Sequence, residues 1–119
     1  MTALTPTERA ALSKLMATEV MGWRLMYLPN MWCHPNGGIV IPMAKYDPTT
    51  NDAQAAELRR AVAAMREVIK LELWYLGDGF VGVWINDGDS QIRYAPTEAE
   101  ATCLTIAAFL GDESWRDDA

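Results

Sequence analysis

The chain has 119 residues, half of them apolar and 22% charged, a balance that fits one globular domain with a real core and excludes a disordered tail. Sixteen acidic against ten basic side chains leave a net charge of −6 without a basic cluster, which argues against direct nucleic-acid binding, where Lys and Arg must replace counterions on phosphates. No apolar run reaches the ~18 residues of a bilayer span and no basic-then-apolar leader opens the chain, so a cytoplasmic protein without membrane contact is expected.

In chain order, "LTPTERAALSKLMATEVMGW" predicts a first helix. Thr5 suits the N-cap, Pro6 the first helical position and Glu8 the third place of a capping box. Leu12, Leu15, Met16 and Val20 form its apolar stripe, and Gly22 ends it. "WRLMYL" then reads as a short strand. The Pro- and Gly-rich stretch that follows reads as a hairpin, "MWCH" and "GIVIP" joined around Pro35, Asn36 and Gly37. A second helix starts after Pro48, with Thr50, Asn51 or Asp52 as cap and a stripe of Ala55, Leu58, Val62, Met65 and Ile69.

Three strands come next, "KLELWYL", "FVGVWIN" and "SQIRY", and their short "GDG" and "DGD" links force antiparallel neighbours. Leu71, Leu73 and Tyr75 alternate with Trp74 and Leu76, and Val81, Val83 and Ile85 alternate with Phe80 and Trp84, so apolar groups fall on both faces. A last helix opens at Thr97, with Glu100 at capping-box spacing, and closes at Gly111. Ala99, Cys103, Ile106 and Leu110 share one face, and Leu104 and Ala108 make the other flank apolar too. The expected fold class is α+β: an α-β-α sandwich with a mainly antiparallel sheet of four to five strands and three helices. It is read as one domain over 1–119, with frayed ends at 1–5 and 112–119. Were all helices on one face, exposed aromatics would instead demand a homo-oligomer.

The assembled pattern resembles the phage ABA sandwich domain family. The likeness rests on a helix closing on "EVMGW", a Trp-containing loop ending near "YDPTTNDAQAA", and a meander leading into "APTEAEATCLTIAAFL", together roughly residues 8 to 111. It implies a small viral accessory protein expressed in a bacterial host, with no catalytic motif to carry over.

The residues point the same way on chemistry. Cys33 and Cys103 are the only cysteines and His34 the only histidine, too few for a zinc site of the usual spacing, so no metal or cofactor is expected. Neighbours in a strand face opposite ways, which keeps Cys33 and His34 from forming a catalytic pair. Asp87 and Asp89 around Gly88 lack the distant Glu of a calcium loop and read as a turn. No enzyme is expected.

Charge is uneven: residues 1–71 carry eight basic and six acidic groups, net +2, while residues 72–119 carry two basic against ten acidic, net −8. The acidic half suits a partner with a basic, nucleic-acid-binding surface. Asp78, Asp87, Asp89, Glu98 and Glu100 are its candidate contacts, with Asp112 and Glu113 behind them. Trp32, in the Pro-rich hairpin, is the tryptophan expected to touch a partner, while Trp23, Trp74 and Trp84 are assigned to the core. With the family resemblance, the expectation is a non-enzymatic protein that binds and inhibits a host factor such as a CRISPR-type antiviral complex. The alternative is a small-molecule-binding protein that sequesters a signalling nucleotide, for which Arg24, Arg59, Arg60 or Arg93 would have to converge.

Overall fold

The computed structural model describes residues 3–26 and 30–117. Tyr27 and Leu28 of the expected first strand, and residues 1–2 and 118–119 of the expected frayed ends, lie outside the described residues.

Helix α1 spans Pro6–Leu15 and carries the full capping box: Glu8 N donates to Thr5 Oγ1 at 3.1 Å and Thr5 N donates to Glu8 Oε1 at 3.0 Å. It runs on through a π turn, Met16–Val20, to Gly22, whose φ of +71° lets the chain reverse. Strands β1 (Arg24–Met26), β2 (Met31–Cys33) and β3 (Ile39–Pro42) make one antiparallel sheet in that order. Gly37, at φ +95°, turns the β2–β3 hairpin as expected. Asn51 caps α2 (Asp52–Ala63) by accepting Gln54 N at 3.0 Å. Strands β4 (Lys70–Tyr75), β5 (Val81–Asn86) and β6 (Ser90–Ala95) form a second antiparallel sheet, and α3 (Glu98–Leu110) closes the fold at Gly111.

Two expectations about architecture are corrected. The strands do not join one sheet of four to five but form two sheets of three. Nor do helices cover both faces of the β4–β6 sheet. Helix α3 is apolar around most of its girth, and such a helix needs cover on every side. It takes the sheet on one side, against β5 and β6, and α1 and α2 on the other. Among the described residues no helix is left for the sheet's far face.

The main core accordingly lies around α3, where Leu12, Met16, Leu58, Val62, Ile85, Cys103 and Ile106 meet. The Thr105 hydroxyl ties helix to sheet, donating to the Val83 carbonyl at 2.9 Å and accepting from Arg93 N at 3.1 Å. Trp115 also enters this core, so within the stretch expected to fray, residues 112–117 fold back instead. Its neighbour Asp117 accepts from the Thr5 hydroxyl at 2.7 Å and ties the two ends of the chain together. The helix-two stripe stops early: α2 ends at Ala63, and Ile69 lies beyond it with 73% of its surface exposed. No helix among the described residues is long and apolar enough to cross a membrane.

Candidate interaction surface

The far face of the β4–β6 sheet is built from the even-numbered residues of its strands. The register sets them in three cross-strand rows: Lys70–Asn86–Ser90, Glu72–Trp84–Ile92 and Trp74–Gly82–Tyr94. None of Trp74, Trp84, Ile92 or Tyr94 joins a core cluster, and Trp74 and Tyr94 expose 39% and 37% of their surface. The two indoles stand 6.0 Å apart at 31°, an offset arrangement favourable for aromatic pairs. Tyr94 lies flat on Gly82, where a Cβ would come within 2.7 Å of its ring, so the missing side chain makes the tyrosine's seat.

Charged groups hold the platform from one end. Lys70 Nζ sits 6.0 Å from the Trp84 ring centroid and 3.0 Å from Glu72 Oε1, and Trp74 Nε1 donates to Glu72 Oε2 at 3.2 Å. Lys70 first, then the indole N–H, hold the Glu72 carboxyl below its ordinary value. These four side chains hold one another by contacts among themselves. The result is a preformed aromatic surface with little side-chain freedom to lose on contact.

The acids singled out from the sequence do not form one patch. Asp78 accepts Phe80 N at 3.0 Å in the β4–β5 turn, and Asp87 accepts Asp89 N at 3.1 Å in the β5–β6 turn. These turns lie at opposite ends of β5, about 20 Å apart for a strand of this length. They thus stand at the two ends of the aromatic face. Glu100 is different: it is only 6% exposed and pairs with Arg9 at 2.7 Å, so its carboxylate returns nothing to the cap of α3. Glu98 accepts from the Tyr75 hydroxyl and lies 4.0 Å from Arg59, beside the helix-covered face. Behind them, Ser114 holds the Asp112 carboxyl below its ordinary value and Glu113 pairs with Arg116.

The tryptophans exchange roles. Trp32, expected at a partner surface, is 2% exposed and packs with Ala17, Trp23 and Tyr46, while Trp74, assigned to the core, is in the open. The reason lies in β1–β3: a three-residue central strand must bury its large side chain against the π turn to have any core of its own. Trp32 still forms part of a cleft of about 600 Å³ between α1 and the chain at 43–47, together with Ala10, Lys14, Met43 and Asp47. Burial raises the Asp47 carboxyl, but hydrogen bonds from Thr49, Thr50 and Ser13 outweigh it and leave the group below its ordinary value. The Arg9–Glu100 pair borders a second cleft of about 360 Å³, where Arg9 Nη1 also donates to the Thr49 carbonyl at 3.2 Å.

Neither cysteine is a poised nucleophile. Cys33 is buried beside an exposed His34, and burial pushes the Cys103 thiol far above its ordinary value. Among the described residues no group of three His, Cys, Asp or Glu is placed to hold a metal ion. The four arginines considered for a nucleotide are dispersed: Arg59 donates to Thr102 Oγ1 at 2.7 Å, Arg93 to its neighbour's carbonyl at 2.8 Å, and Arg24 and Arg60 project from β1 and α2 as exposed groups.

No protein-family model matches the chain, and no curated protein matches it. Among solved structures it is similar to a phage protein from Bacillus cereus ATCC 14579, known from a 2.0 Å crystal structure, with a TM-score of 0.60 and 15% identity over 88% of this chain and 91% of that one. At that identity the likeness shows the α+β fold, and not the sandwich family.

Proposed function

We propose that the chain is a non-catalytic binding protein of phage type that docks a bacterial host protein through the open face of the β4–β6 sheet. The observation that carries this reading is the platform of exposed Trp74 and Tyr94 around half-buried Trp84, with acidic turns at both ends. Aromatic residues at the centre and charge at the margin are the anatomy of a protein interface, and Trp and Tyr dominate its energetics. A partner matched to it has an apolar patch flanked by Lys and Arg, and the basic margin would suit a nucleic-acid-binding protein of a host defence complex. The fold likeness to a phage protein supports the viral setting.

The test is an affinity capture from host lysate with three baits: the native chain, Trp74→Ala, and Asp78→Lys/Asp87→Lys/Asp89→Lys. Mass spectrometry should find one protein retained by the native bait and reduced at least tenfold on both variants. Retention unaffected by Trp74→Ala would refute the platform, and a nucleotide retained equally by all three would favour the sequestration reading instead.

A further inference from the structure

The two sheets have four edges, and three of them are closed or blunted. Strand β1 has three residues, β3 ends in Pro42 after a register shift at Trp32/Cys33, and the outer edge of β6 is flanked by Leu4, Glu113, Trp115 and Arg116. Strand β4 differs from all of these. It runs six residues in unbroken register with β5 and contains neither Pro nor Gly.

Its free main-chain groups can be identified. Leu76 N donates to Phe80 O at 2.9 Å, so the even positions of β4 form the hydrogen-bonded pairs with β5. The alternation of an antiparallel ladder then turns N–H and C=O of Leu71, Leu73 and Tyr75 outward. Apolar side chains gather along the same edge. Of the eight large hydrophobics exposed among the described residues, Ile69, Trp74, Tyr75 and Leu76 fall in this one stretch, with Ile69 73% and Tyr75 68% exposed.

We infer that β4 pairs with β4 of a second copy about a two-fold axis normal to the sheet, giving a continuous six-stranded sheet. Only one register uses all three outward residues. It sets Leu73 opposite the partner's Leu73 and Leu71 opposite the partner's Tyr75, and makes about six main-chain hydrogen bonds. Neighbouring registers fare worse, since centring on Glu72 faces two carboxylates and sets Tyr75 opposite the partner's Ile69, whose N–H is already bonded to Asn86 O at 2.7 Å. In the favoured register Glu72 lies opposite the partner's Trp74, which joins the two aromatic faces into one. Helix α3 packs on β5 and β6, and α2 packs on α3 with only slight contact to β4. A strand about 20 Å long, with side chains on both faces, buries roughly 1,000 Å² in total, the lower limit of specific interfaces, so the dimer exchanges with monomer at micromolar concentration.

The experiment has two arms on the full chain. Sedimentation from about 5 to 500 µM should show the mass rising from 13.2 kDa to twice that value, and Tyr75→Pro, which removes an outward N–H, should shift the midpoint at least tenfold higher. In the second arm, Glu72→Cys and Trp74→Cys single variants are mixed and oxidised with copper phenanthroline. Their Cα atoms would lie about 4.5 Å apart across the axis, within disulfide reach, whereas like positions lie beyond it. A disulfide-linked heterodimer, absent from either variant alone, is expected. A constant monomer mass, a dimer unaffected by Tyr75→Pro, or no link in the mixture would each overturn the pairing.

Discussion

Gly82→Ala probes the seat of the aromatic platform. The added methyl would lie 2.7 Å from Tyr94 Cε1 and 2.9 Å from Cδ1, closer than real side-chain carbons approach, so the ring must lift. Lifting uncovers about 50 Å² of apolar contact, worth about 1 kcal/mol at 25 cal/mol per Å². An off-rotamer tyrosine adds about 0.5–1 kcal/mol. Against this, Ala in a strand is favoured over Gly by about 0.5–1 kcal/mol. The single variant should therefore lose about 1 kcal/mol, whereas the same change made in Tyr94→Ala should gain about 0.5–1 kcal/mol, because nothing then covers the site. Urea unfolding of the native chain, both single variants and the double variant measures the coupling directly. A value near 2 kcal/mol is expected, and additivity within about 0.4 kcal/mol would refute the seat.

Three further outcomes are expected. Arg9→Ala should cost about 2–4 kcal/mol by leaving Glu100 buried without its cation, and Arg9→Met/Glu100→Met should cost less than that single change, both by urea unfolding. The Asp47 carboxyl lies below its ordinary value in the folded chain, so it stabilises fully above the unfolded range near pH 4; that contribution disappears as pH falls through the folded value. The melting-temperature gap between native and Asp47→Asn should thus be widest above about pH 5 and close towards pH 2. Trp32→Ala should lose about 3–5 kcal/mol of stability, while Trp74→Ala should lose under about 1 kcal/mol yet abolish partner capture, a contrast that separates core from surface.

Local signals in the chain were readable because they act over few residues. Thr5 and Glu8, Asn51 and Thr97 specify caps through side chains that reach backbone three residues away, Gly37 and Gly111 specify turns through positive φ, and each stands where the spacing predicts. The wet face of the second sheet was legible too, in a signal easily missed. Lys70, Glu72, Gly82, Asn86 and Ser90 share the phase of Trp74 and Trp84, which makes that face mixed rather than apolar. Counting tryptophans hides this, because one indole outweighs several small polar groups on any hydrophobicity scale. The pairing of Arg9 with Glu100 was not legible at all. It joins residues far apart in sequence, and Glu100 occupied the very spacing at which a capping box would keep it local.

The placement of α3 explains why exposed aromatics gather on one sheet. A helix buried on all sides takes one face of β4–β6 and draws α1 and α2 to its own far side, leaving the opposite sheet face without a layer. Two responses remain for a sheet in that position: a polar face, or a face kept apolar for contact. This face carries both, with Lys70 and Glu72 at one end and a tilted Trp74–Trp84 pair beside Tyr94 on Gly82. Exposed aromatics on a short antiparallel sheet favour aggregation unless the acids at its turns repel indiscriminate contact. Asp78 at one end, and Asp87 and Asp89 at the other, supply that repulsion. The same carboxylates that would attract a basic partner therefore also reject neutral and acidic ones. Reversing Asp78, Asp87 and Asp89 to Lys should therefore lower the solubility of the chain, read as light scattering against concentration, and unchanged scattering would refute the repulsive role.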